Sequence, residues 1–182
     1  MGYWNSRGLR GSAFEEVINF TNEMYRRNGL AVIQKIPTPI TPVQLDKDKR
    51  ITLAYFDKQS TVDYMGVAQG IAICFDAKET GQKSLPIQNI HRHQIEFMED
   101  FNRQDGVAFL LVHFSAYGKY FFLPMETLSK YWSEAEAGGR KSIPYSAFEE
   151  KYEVSFERNS IVNYLEALNT YLVDKRKQGK NT

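Results

Sequence analysis

A mixed architecture, α/β or α+β with a central sheet, is what the order of segments in this 182-residue chain predicts. Three observations carry that expectation. The segments run helix, strand, arm, two strands, helix, two strands and two helices. Gly70 to Ala77 is a nearly continuous apolar run, as a strand covered on both faces would be. Val107 to Phe114 and Tyr120 to Leu123 flank Ala116-Tyr117-Gly118-Lys119, the pattern of a hairpin.

Taken in order, Ser12-Ala13-Phe14-Glu15 is a capping box that opens a helix. Phe14, Val17, Ile18, Thr21 and Tyr25 follow at helical spacing, and Asn28-Gly29 supplies the stop. Leu30 to Ile33 is short and β-branched and reads as a strand. Pro37, Pro39 and Pro42 forbid a helix or a central strand, so this stretch is expected to be extended. Gln44 to Arg50, with Asp46, Lys47, Asp48, Lys49 and Arg50, reads as an exposed tip, and Ile51 to Phe56 as a return strand. Together they predict an arm projecting from the domain. A second helix is expected over roughly Asn89 to Gln104, and a third from Pro124 to Gly138-Gly139. Ser146-Ala147-Phe148-Glu149 reads as another capping box opening a short helix. Ile161 to Val173 carries Ile161, Leu165, Leu168 and Leu172 at helical spacing. One domain over residues 1–182 is expected, with the arm at about 36–56 and a frayed basic tail at about 174–182.

Composition narrows the function classes. Hydrophobic residues make up 42% of the chain, which is globular composition. No apolar run reaches the roughly 20 residues that span a bilayer. The segment Met1 to Arg7 lacks the apolar core of a signal peptide, so a cytoplasmic, membrane-free protein is expected. The single cysteine, Cys74, excludes an intrachain disulfide and a cysteine zinc cluster. No Gly-rich phosphate loop or dinucleotide fingerprint is present. The formal net charge of +1 does not by itself favour a nucleic-acid partner, although basic residues crowd Lys35 to Lys58, Arg140-Lys141 and the tail. His91 and His93 are two apart on the expected second helix and so should not share a face, and His113 sits in an apolar strand.

The chemistry concentrates at Asp63 and at Asp76-Ala77-Lys78. Side chains at i and i+2 of a strand project to one face, so Asp76 and Lys78 point together. Asp63 lies just before that strand, on a neighbouring strand or turn. Two carboxylates suffice for a hard cation that keeps several waters. Such a cation offsets phosphodiester charge and acidifies a water, and an adjacent lysine stabilises charge in the transition state. A chance Asp-X-Lys is usually an exposed ion pair worth less than ~1 kcal/mol. Here it closes the apolar run Ile71 to Phe75, where a charge pair is harder to read as surface decoration.

Several strings then resemble one family in order along the chain: Arg10-Gly11 through Phe14-Glu15-Glu16, Lys35-Ile36-Pro37-Thr38-Pro39, Thr61-Val62-Asp63-Tyr64-Met65-Gly66, Phe75-Asp76-Ala77-Lys78-Glu79-Thr80, Pro86 to Gln94, and Gly139-Arg140-Lys141-Ser142-Ile143. Over about residues 10 to 172 the chain resembles the RecU family of Holliday junction resolvases, in the PD-(D/E)XK nuclease superfamily. The resemblance implies a restriction-endonuclease-like mixed sheet flanked by helices, with the proline-rich arm as a stalk. It implies Asp63, Asp76, Thr61 and Gln94 at a Mg2+ site, with Mn2+ as a substitute. Lys78 is implied as the transition-state lysine and Glu15 as a further acidic group. It also implies a homodimer acting on four-way junction DNA, with a recombinase or branch-migration protein as a further partner. Candidate phosphate contacts are Arg10, Lys47, Lys49, Arg50, Lys58, Arg140 and Lys141. The family usually has Glu where this chain has Asp76, and Thr-Thr-Asp where it has Thr61-Val62-Asp63. Two alternatives remain open: a nuclease for other branched DNA, and a weak or inactive junction-binding protein on the same fold.

Overall fold

Phe14, Ile18, Thr21 and Tyr25 lie on one stripe of α1 (Ala13–Arg27), and that stripe is buried. Glu15 and Glu16 in the first turn and Arg26 and Arg27 in the last suit the helix dipole. The helix ends as expected at Gly29, whose φ of +68 is costly for other residues. There Leu30 N–H closes onto the Tyr25 carbonyl at 2.9 Å. The computed structural model describes residues 13–56, 61–156 and 161–179; Ser12, Arg10 and Lys58 lie outside them.

The chain continues through β1 (Ala31–Lys35), β2 (Ile40–Leu45), β3 (Ile51–Phe56), β4 (Tyr64–Ala68), β5 (Ile71–Thr80) and β6 (Ser84–Pro86). After these come α2 (Arg92–Arg103), β7 (Val107–Phe114), β8 (Lys119–Pro124), α3 (Met125–Glu136), β9 (Ser142–Pro144), β10 (Glu153–Val154) and α4 (Tyr164–Gly179). Six strands form the central sheet in the order β1-β4-β5-β7-β8-β10. All pairs in it are antiparallel except β5 with β7, which α2 joins as a crossover. This is the mixed α/β sheet flanked by helices that the segment order predicts.

Each face of the sheet has its own core. On one, Ile73, Phe75, Phe109, Leu111 and Phe122 pack under α1 and α4. On the other, Cys74, Leu110, Val112, Phe121 and Leu123 pack under α2 and α3. The double cover explains why β7 is apolar almost throughout. Tyr64, Phe75, Phe109 and Phe122 stack in sequence across four adjacent strands at centroid distances of 4.8, 4.9 and 4.2 Å. The β2 and β3 strands pair only with each other, as a separate two-stranded sheet. Pro42 is tolerated there because neither strand is central. Among the described residues no helix is long and apolar enough to cross a membrane.

Several boundaries differ from the sequence reading. β5 runs to Thr80 rather than stopping near Ala77, because β7 pairs with it in parallel from Ile73↔Val107 to Thr80↔Phe114. α2 begins at Arg92, after a separate 3-10 turn at Ile87–Asn89. Ser146 to Glu149 does not open a helix. Two 3-10 turns, Tyr145–Ala147 and Glu150–Tyr152, flank an extended Phe148. Its ring is buried against Phe114 and Phe121, and this packing outweighs the local cap signal. Residues 174–179, expected to fray, continue α4. Asp174 accepts the Tyr152 hydroxyl at 3.1 Å and Lys175 pairs with Glu126 at 2.5 Å, which ties this end down.

Candidate active site

The sheet forks where chemistry was expected. β4 and β5 pair as far as Tyr64↔Phe75, and one step beyond stand Asp63 and Asp76. Here side chains replace ladder bonds. Asp63 N–H donates to Asp76 Oδ1 at 2.7 Å, and Ala77 N–H donates to Asp63 Oδ2 at 3.0 Å. The two carboxylates are thereby locked to each other's strand. Asp76 is fully buried, which is rare for a charge without a partner. Its partner is Lys78, two residues on along the same face, with Nζ 2.8 Å from Asp76 Oδ2.

Lys78 also donates to Gln94 Oε1 at 3.4 Å. That oxygen accepts His91 N–H at 3.0 Å, the reciprocal half of a capping arrangement at the start of α2. Gln94 is buried, so α2 delivers a fixed amide oxygen to the lysine. Glu15, in the first turn of α1, accepts Lys35 Nζ at 2.5 Å. Tyr64, fully buried beside Asp63, donates its hydroxyl to Asn19 Oδ1 at 3.0 Å. Thr61 is half-buried in the segment leading to Asp63.

Burial is the largest reason that the Asp63 carboxyl is pushed up to about 6. The charge of Asp76 raises it next, while the Ala77 N–H bond and Lys78 pull it down. Glu15 adds a smaller upward push, which places its charge within reach of the pair. Asp76 Oδ2 is buried without an aligned hydrogen bond despite the ionic contact to Lys78. Two crowded carboxylates, one proton-hungry and one with an orphaned oxygen, suit a hard divalent cation. Among the described residues no group of three or more His, Cys, Asp or Glu converges on a metal position. The oxygen donors that do meet here, two carboxylates and the Gln94 amide oxygen, are of the kind a hard cation takes.

The structure thus brings Asp63, Asp76, Lys78 and Gln94 together, with Glu15 on their flank. The phosphate-contact candidates lie elsewhere. Lys47, Lys49 and Arg50 are exposed at the β2–β3 tip, where Asp46 Oδ1 accepts the N–H groups of Asp48 and Arg50. Arg140 donates to Ser142 Oγ at 3.1 Å. Lys141 donates to the Ala135 carbonyl at the end of α3, a capping contact. Arg10 and Lys58 fall outside the described residues.

Two features escaped the sequence reading. Lys35 joins the site through Glu15, and nothing local signals a pair so far apart in sequence. His91 and His93 do stack, at 5.5 Å with planes 10° apart, because His91 is the extended cap residue and not part of the helix. His113 stacks on Tyr120 at 4.3 Å on the opposite face of the sheet from Lys78.

Comparison with known proteins follows the same lines. A family model described as Recombination protein U (RecU) matches residues 9–170. Curated proteins named Holliday junction resolvase RecU are similar over most of their length. The one from Pediococcus pentosaceus is 44% identical over 167 residues, covering 88% of this chain and 83% of its own. The one from Lactococcus lactis subsp. lactis is 45% identical over 168 residues, covering 89% and 78%. The one from Lactiplantibacillus plantarum is 40% identical over 174 residues, covering 92% and 84%. Among solved structures, Archaeoglobus fulgidus Hjc, described as a Holliday junction resolvase, overlaps 76% of this chain and 91% of its own. Its identity to this chain is 12% and the TM-score is 0.45.

Proposed function

Because the chain belongs to the RecU family, we propose that it is a Holliday junction resolvase, an endonuclease that hydrolyses phosphodiesters in four-way DNA junctions during recombination and repair. The observation that carries this reading is the cluster of half-buried Asp63 and Lys78 around fully buried Asp76 at the fork between β4 and β5.

Asp63 and Asp76 would hold Mg2+, or Mn2+ in its place, with Thr61 and Gln94 alongside. When bound, the cation offsets the charge on the phosphodiester and acidifies a water. The protein's own groups do the rest. The crossed backbone bonds fix both carboxylates before substrate arrives, so little reorganisation is needed in the reaction. Lys78, desolvated and held by Asp76 and Gln94, places a positive charge where the phosphoryl oxygens gain negative charge. Water adds to phosphorus and gives up a proton as the P–O ester bond breaks, and the departing oxygen takes up a proton. Glu15, steered by Lys35, holds a further negative charge beside the metal site.

A twofold homodimer would present two such sites to the two strands that must be cut in a symmetric junction. Lys47, Lys49, Arg50 and Arg140 would contact phosphates, giving selectivity for shape over sequence. The protein would work in the cytoplasm, with a recombinase or branch-migration protein as a further partner. The test compares a synthetic four-way junction with flaps and forks, using the wild type and Lys78→Ala. Paired nicks preferring the junction, absent in a Lys78→Ala variant that still binds it, support the reading. Preference for flaps or forks sinks it in favour of another branched-DNA nuclease.

A further inference from the structure

Beside the carboxylate pair, α1 and the end strand β1 enclose a groove of about 430 Å³ that the chemistry above does not use. Its α1 wall is Asn19, Asn22, Glu23 and Arg26, one helix face at spacings of three, four and seven. Its other wall is formed by consecutive β1 residues through Gln34 and Lys35, so the strand presents its edge rather than one side-chain row.

The polar groups of this groove are biased toward donors. Buried tyrosines hold both asparagine carbonyls inward: Tyr64 donates to Asn19 Oδ1 at 3.0 Å, and Tyr164 donates to Asn22 Oδ1. Asn19 is exposed, and with its Oδ1 engaged its NH2 group is the part left to donate, whereas Asn22 is buried. Gln34, Arg26 and Lys35 are exposed and add further donors. The one acid, Glu23, lies 3.4 Å from Arg26 and 3.0 Å from Arg27, which offset its charge. At one end Lys35 meets Glu15 and lies opposite Tyr64 across the β1–β4 pair, while Ile36 N–H donates to the Asp63 carbonyl at 2.8 Å, so this end of the groove lies beside the metal-type site.

A row of amide and cationic donors running from a phosphate-hydrolysing centre suits a ligand made of acceptors. We propose that the α1–β1 groove binds the sugar-phosphate backbone of the substrate strand next to the scissile phosphate. The inference rests on the resolvase reading and adds which surface guides the strand. An extended peptide added to the β1 edge is the competing occupant. It would use the strand edge but would leave the asparagine and arginine donors of α1 without a role.

Cys74 is the chain's single cysteine and is fully buried, so Gln34→Cys creates one accessible thiol. In full-length Lys78→Ala protein, this thiol is offered to four-way junctions bearing a thiol tether at single phosphates walked outward from the cut. Disulfide capture confined to phosphates near the cut is expected, with none from an exposed control, Lys130→Cys, on α3. In parallel, Arg26→Ala in the otherwise native protein should bind the junction more weakly. Its salt slope should be reduced by about 1, with an unchanged melting midpoint. No capture above the Lys130→Cys level, or wild-type affinity and salt slope in Arg26→Ala, overturns the groove assignment while leaving the resolvase reading standing. Failure of the wild type to bind or cut the junction at all removes both.

Discussion

The Asp63 carboxyl is pushed up to about 6, above the ordinary aspartate range, chiefly by burial and next by the charge of Asp76. The folded protein thus binds this carboxyl's proton more tightly than the unfolded chain does. The stability this contributes is complete below about pH 4 and is lost as pH rises through 6. Asp63→Asn should therefore raise the melting temperature of metal-free protein at pH 7 to 8 and leave it unchanged near pH 4. With about 1.4 kcal/mol per pKa unit as the scale, the gain is a few kcal/mol at most. A bound cation must displace the same proton, so Mg2+ affinity measured by titration calorimetry should fall steeply below pH 6. Asp76 depends on Lys78 in a different way. Removing one partner of a buried pair strands the other, so Lys78→Ala should cost on the order of 3 kcal/mol in urea unfolding as well as activity. Asp-X-Lys was visible in the sequence because strand alternation puts i and i+2 on one face. The backbone bonds that cross-link Asp63 and Asp76 were not, since they depend on the register of two strands.

At the scale of elements, Gly66 shows what the sequence could not convey. A Cβ there would lie 2.1 Å from the Val32 carbonyl oxygen and 2.6 Å from Ile33 Cα, both backbone atoms of β1 that have no rotamer to change. Gly66→Ala should force β1 away from β4 and cost about 3 kcal/mol or more, read by urea unfolding. The short strand β4, with a glycine at its centre, carries no local strand signal and forms because β1 and β5 template it. Helix α1 was legible since its apolar stripe and its glycine stop are local. The Ser146 cap was misleading because the burial of Phe148 is not. In the interior, Phe109 joins the ring stacks of β5 and β8, and Phe109→Ala should cost about 3–5 kcal/mol as a cavity opens under α4.

For the molecule as a whole, the sheet order decides where function can sit. β5 and β7 are the buried centre, and β4 stops short of the β5 terminus, so the fork leaves carboxylates at a rim supported by both cores. The mixed layering followed from the segment order. The β6–β9 pair did not, because three-residue strands joined across the whole α2–α3 region leave no periodic trace. A formal net charge of +1 gives weak long-range attraction to DNA, so binding must come from local donors and fall with salt. The measurement that tests the central claim most directly is cleavage of an end-labelled mobile four-way junction with Mg2+, in wild type and Asp76→Ala side by side. The account predicts paired, symmetric nicks that require the metal and vanish in the variant. Binding without cleavage by the wild type in either Mg2+ or Mn2+, or equal cleavage by Asp76→Ala, would contradict it.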